Sequence, residues 1–212
     1  MPKKGRWAEH PELLKERSRE GVIRALTLES LGMNSNVIYQ RCLPGGPWQR
    51  LLPGIIVLHS TEPTLRERLI AALLYCGPQA LVTGSAACRQ YGLRVPAEFS
   101  DAEIHMLVPH ERKILSSEFV TVERTTRLPG AWIRAGLPLA PLVRATTDAV
   151  RRTRAEELVG RLLVGPFSEV AARLRRSEPS LTAVRNAAQP CHAASWRHGS
   201  ISVRWQKREP DG

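Results

Sequence analysis

The apolar positions of the chain change their period along its length, and that change divides it into elements. From Pro11 to Glu20 a run of good helix formers (Glu12, Leu13, Leu14, Lys15, Glu16, Arg17) predicts a first helix, stopped by Gly21 as a C-terminal cap. After the apolar pair Val22 and Ile23, the residues Ala25, Leu28 and Leu31 recur with helical spacing and predict a short second helix closed by Gly32. Asn34 or Ser35 can cap a third helix through Leu43, with Ile38 and Cys42 one turn apart as its buried stripe. Pro44, Gly45, Gly46 and Pro47 end it. Trp48 to Leu52, a turn at Pro53 and Gly54, and the β-branched run Ile55 to Leu58 then read as a hairpin, with Trp48 packed into the core.

Further on, Leu65, Leu69, Ala72 and Leu73 carry a helix from Thr64 to Tyr75, and Ser85 can cap another through Tyr91 before Gly92. Ile104 to Val108, ended by Pro109, and Phe119 to Val122 read as strands. Leu142 to Leu163 is a long helical stretch punctuated by Gly165 and Pro166, followed by a helix near Ser168 to Arg175. Beyond Glu178 the pattern fades. Asn186 to Gly212 reads as a loosely ordered tail with one short strand, Ile201 to Trp205, and there is no internal repeat. Three short helices followed by a hairpin make a winged helix-turn-helix. The expected fold class is therefore α+β: a winged helix-turn-helix over residues 9–60, a mixed α/β domain over 61–177 and a basic C-terminal tail over 178–212.

Composition narrows the partners. A 42% hydrophobic fraction in 212 residues can fill a real core. The 31 Lys+Arg against 20 Asp+Glu give a net charge of +11, carried almost wholly by arginine. Arginine's planar fork suits phosphate and guanine edges, although a GC-rich coding bias gives the same excess. No stretch approaches the roughly 18 consecutive apolar residues of a membrane span, and the start carries no hydrophobic signal region. A cytoplasmic, nucleoid-associated protein without a membrane partner is expected. Cys42, Cys76, Cys88 and Cys191 include no C-x-x-C pair and are expected to be reduced, the first three as core packing.

The third predicted helix carries the chemistry. With Ile38 and Cys42 turned inward, it presents Ser35, Asn36, Tyr39, Gln40 and Arg41 outward, and amide and guanidinium groups are those that pair with adenine and guanine edges. From Met33 through Ile56 there is no acidic residue, as a surface that meets phosphate requires. Arg50 in the wing and Arg24 at the opening of the second helix are the expected phosphate contacts. The plainer reading is that this helix face is merely solvated.

These residues bring a family into view. The runs GVIRALTLESLGMNSNVIYQRC, WQRLLPGIIVL, LIAALLYCGPQALVTGSAACRQYGL, EIHMLVPHERK and GLPLAPLVRATTDAV resemble the AbiEi antitoxins of type IV toxin-antitoxin and phage-defence operons, over about Gly21 to Val164. The resemblance implies an autorepressor that binds an inverted repeat in its own promoter as two copies. It also implies an antitoxin-like second domain linked with a nucleotidyltransferase-like toxin. It places Ser35, Asn36, Tyr39, Gln40 and Arg41 on the recognition helix and Arg50 on the wing. The turn Pro44-Gly45-Gly46-Pro47 departs from the family pattern, and the helix exit is less basic. Some relatives carry a nuclease-like domain after this region; none is expected here.

Two other readings compete. Asp101 followed by Glu111 and Lys113 has the acid then E-x-K order of a metal-dependent nuclease, but Pro109 and His110 break the strand that should hold the pair. Ser85 lacks the G-x-S-x-G context of a nucleophile, and Cys191, His192 and His198 lack a fourth metal ligand. Neither an enzyme nor a cofactor is expected. The region from Thr64 to Leu174, with Arg144, Arg151, Arg152, Arg154 and Arg161, could instead bind an acidic protein or a second copy of the chain, unless those arginines form an ordinary solvated face.

Overall fold

The apolar residues between Leu14 and Leu58 are too few per element to bury a face alone, and they close together over one small core. The computed structural model describes residues 12–95 and 103–152. Its first elements are α1 (Glu12–Arg17), β1 (Val22–Arg24), α2 (Ala25–Ser30), α3 (Ser35–Arg41), β2 (Gln49–Leu52) and β3 (Ile55–Val57). The three strands form an antiparallel sheet in the order β1-β3-β2, with Val57 paired to Val22 on one side and to Gln49 on the other. Ile23, Leu28, Met33, Ile38, Trp48 and Ile56 make the core, with Leu14, Ala25, Cys42 and Leu58 against it. Asn34 supplies the cap of α3, its Oδ1 accepting from the Asn36 backbone N–H at 2.8 Å.

Two local expectations need correcting. The first helix ends at Arg17, and Gly21 does not cap it: Glu20 (φ 50°) and Gly21 (φ 80°) form a tight turn whose flanks, Arg19 and Val22, are paired. Val22 and Ile23, expected as a lead into the second helix, form β1 instead. Alternation explains why both are apolar. Ile23 and Ile56 face the helical core, while Val22 and Val57 point the other way and are equally buried.

What covers that second face is α4 (Leu65–Cys76), which packs against β1, β2 and β3 and also against β4 (Leu81–Thr83) and β5 (Ile104–Pro109). Five consecutive buried residues, Leu69 to Leu73, show that it is enclosed on more than one side. A capping box starts it, with the Glu67 carboxylate accepting from the Thr64 backbone N–H at 2.8 Å and the Thr64 hydroxyl accepting from the Glu67 N–H at 3.2 Å. Beyond it come α5 (Gly84–Gln90), β6 (Val120–Thr125), β7 (Trp132–Arg134), β8 (Leu137–Leu139) and α6 (Leu142–Arg152). The second sheet is mixed, in the order β6-β5-β4-β8-β7, with β5·β6 and β4·β8 parallel and the other pairs antiparallel. Six helices and two sheets make the described residues an α+β fold.

Ser85 does not cap α5; Thr83 holds that position, and its hydroxyl is drawn to Asp148 instead. The hairpin β7–β8 turns on Ala135 (φ 45°) and Gly136 (φ 75°), both left-handed as a type I′ turn requires. Arg66 joins that turn to the one at Glu20 and Gly21, giving a two-pronged contact to Glu20 at 2.6 Å and a bond to the Ala135 carbonyl at 3.0 Å. The expected helix from Leu142 is described as far as Arg152. The helix at 168–175, the strand at 201–205, the tail, Asp101, Arg154, Arg161, Cys191, His192 and His198 lie outside the described residues.

Candidate nucleic-acid interface

Helix α3 is short, and Ile38 is its one buried residue. Ser35, Asn36, Val37, Tyr39 and Gln40 are exposed, Tyr39 at 61%, while Arg41 is half-buried. Between α2, α3 and the β2–β3 hairpin runs a groove of about 420 Å³, lined among others by Glu29, Ser35, Tyr39, Cys42 and Arg50. Its floor includes Ile38 and Ile56. The Ala25 N–H donates to the Gly54 carbonyl at 2.8 Å, which ties the hairpin turn to the start of α2.

The seven expected contact residues do not form one uniform surface. Tyr39, Gln40 and Arg50 are exposed and take no side-chain hydrogen bond or ion pair with another described residue. The Asn36 side chain is likewise uncommitted. Arg41 lies over the Trp48 ring, its guanidinium carbon 4.8 Å from the centroid, so its planar face is already stacked. Arg24 reaches across to the C-terminal end of α4 and donates to the Leu74 carbonyl at 2.5 Å. Ser35 donates its hydroxyl to Glu29 Oε1 at 2.8 Å.

That last bond changes the charge picture. The stretch from Met33 to Ile56 contains no acid in sequence, yet in space the carboxylate of Glu29 stands beside the first residue of α3. Sequence reasoning passed over Glu29. The signal was present, because the four residues Leu31 to Asn34 between two short helices bring the end of one beside the start of the next. Leu26, 74% exposed, and Val37 were also passed over as surface residues of α2 and α3.

A second polar group lies between β4, β5, β6 and α6. Asp148, 1% exposed, accepts from the Thr83 hydroxyl at 2.7 Å and from Arg144 Nε at 2.9 Å. Arg144 also donates to Glu123 at 2.7 Å, and Arg152 to Glu103 at 3.0 Å. Arg144, Arg151 and Arg152 are thus engaged with carboxylates rather than forming an open cationic face. His105 sits among them, 5% exposed. Its Nε2 comes within 3.3 Å of Glu123 but without hydrogen-bond geometry, and neither ring nitrogen is hydrogen-bonded to a described residue. Burial, aided by the charge of Arg152, pushes its pKa down to about 4 against the pull of Glu123. A Cβ at Gly84 would stand in ordinary contact with His105, 3.4 Å from its Cβ and 3.5 Å from Nδ1, so it is the left-handed backbone (φ 66°) that favours glycine there.

Glu111 and Lys113 lie exposed just past the end of β5. Cys42, Cys76 and Cys88 are free thiols, half-buried for the first and buried for the others. Burial pushes the Cys76 and Cys88 thiols up to about 12, which leaves them unreactive near neutral pH. Among the described residues no group of three His, Cys, Asp or Glu side chains is placed to hold a metal ion, and no helix is long and apolar enough to cross a membrane. The sequence matches no protein-family model and no curated protein.

Proposed function

We propose that the chain binds double-stranded DNA through α3 and the β2–β3 hairpin, as a winged helix-turn-helix, and acts as a transcriptional regulator rather than an enzyme. The observation that carries this reading is the exposed face of α3. Tyr39 and Gln40 project from it without described partners beside Arg50, on a helix buried through Ile38 alone. The order helix, strand, helix, helix, hairpin, with β1 completing the sheet, suits such a domain. Gln40 and Asn36 supply amides for base edges, and Arg50 supplies the phosphate contact. Ser35, Arg24 and Arg41 contribute less, since each already holds an intramolecular partner. The resemblance to AbiEi antitoxins extends the proposal to an autorepressor that occupies an inverted repeat in its own promoter as two copies and neutralises a nucleotidyltransferase-like toxin.

The test is binding to the DNA upstream of its own gene across a salt series. Wild type should bind with an affinity that falls steeply as salt rises. Gln40→Ala should cost about 1–3 kcal/mol at one base position, whereas Arg50→Ala should weaken all sequences alike. A Gln40/Arg50 double variant that binds as tightly as wild type would overturn the proposal. A second reading, a protein-interaction module, draws on the edge strand β7, where Trp132 and Ile133 are 44% and 66% exposed. It predicts no salt-dependent DNA binding at all.

A further inference from the structure

We propose that Glu29 is a specificity-determining residue of this face and that it reads the exocyclic amine of a cytosine in the major groove. The assignment rests on the DNA-binding reading above. Glu29 lies in the last turn of α2, exposed, on the wall of the groove it shares with Ser35, Tyr39 and Arg50. The Ser35 hydroxyl holds Oε1 at 2.8 Å and so fixes a side chain that would otherwise sample many rotamers. No other described residue hydrogen-bonds the carboxylate, and Oε2 is left open.

A carboxylate only accepts hydrogen bonds. Next to the phosphate backbone it is repelled, so on a DNA-facing wall it is tolerated where a donor meets it. The major groove offers two donors, cytosine N4 and adenine N6. The adenine amine is flanked by N7, an acceptor whose lone pair would oppose the second carboxylate oxygen. The cytosine amine is flanked by a C–H. The chemistry therefore selects cytosine.

Glu29 could alternatively serve the fold alone, by favouring the start of α3 electrostatically, and the two roles leave different marks. Selection of bound sequences from a random duplex pool with the full chain separates them, run for wild type, Glu29→Ala, Glu29→Gln and Ser35→Ala beside thermal melts of each. Wild type should enrich a half-site with one position at which cytosine is favoured about tenfold. Glu29→Ala should flatten that position alone while binding random-sequence duplex severalfold more tightly, because a repelled charge is gone. Glu29→Gln should move the preference toward adenine, whose N6 and N7 an amide can pair. Ser35→Ala should blur the same position by freeing the carboxylate. A Glu29→Ala chain that enriches the wild-type motif unchanged at every position would overturn the assignment, as would an equal loss at all positions together with a lowered melting temperature. If wild type enriches no motif, the DNA-binding reading itself fails, and the role of Glu29 with it.

Discussion

The face of α3 and the cluster beneath α6 use the same chemical groups under opposite conditions. In the cluster each charged side chain has a counterpart: Asp148 has Arg144 and Thr83, Glu123 has Arg144, and Glu103 has Arg152. On α3 the pairing stops partway. Ser35 and Arg41 are held, while Tyr39, Gln40 and the nearby Arg50 project toward solvent. Thr83 and Asp148 are buried and meet their need for partners in each other and in Arg144, His105 being the buried member whose ring nitrogens are not hydrogen-bonded to a described residue. The exposed groups of α3 remain available for a partner. The contrast therefore separates side chains that hold the fold from those that could recognise something outside it.

The largest test of that contrast is Asp148→Ala, which leaves Arg144 and Thr83 without their shared acceptor. It should lower stability by about 3–5 kcal/mol in denaturant unfolding, while the proposed DNA binding of the folded fraction stays unchanged. Next comes His105. Its pKa is about 4 in the folded protein against 6.5 for the ordinary side chain, so the folded state binds fewer protons between those values. The sign follows: stability is full above pH 6.5, falls as pH drops toward 4, and changes no further through this group below that. The loss should be roughly 3 kcal/mol, and His105→Leu should remove this acid limb from the unfolding profile. The smallest effect tests the residue that belongs partly to each group. Arg41→Ala should cost about 0.5–1 kcal/mol of stability through the lost Trp48 stacking, and less DNA affinity than Gln40→Ala. A larger affinity loss for Arg41 than for Gln40 would reverse their roles.

The parts of the fold legible in sequence are those with local signals. The cap at Asn34, the helical spacing of Leu65, Leu69 and Leu73 and the Pro53-Gly54 turn each act within a few residues. Strand β4 left no such mark, since its three buried residues run straight into α5 with no turn between. The β7–β8 turn is built on Ala135 and Gly136 rather than the asparagine or aspartate that usually announces a type I′ turn, so that hairpin went unread. At the candidate site, the outward direction of Tyr39 and Gln40 followed from helical periodicity. The diversion of Arg24 to Leu74 and of Arg41 to Trp48 depended on neighbours that periodicity does not locate. The cluster was wholly out of reach, because Thr83 and Asp148 meet across 65 residues of chain.

The central strand β3 of the sheet β1-β3-β2, buried on both faces, has a consequence for cooperativity. Stripping α4 from it would uncover Val22, Ile55 and Val57, each worth about 1.5–3 kcal/mol on burial. Together they approach the whole stability of a small domain, about 5–15 kcal/mol. A fragment cut after Ser60 should thus be unable to persist as a folded body, and backbone amides of β3 and β4 should exchange with solvent at similar rates in one shared opening event. Helix α3 would then be presented by a single unfolding unit whose centre is α4.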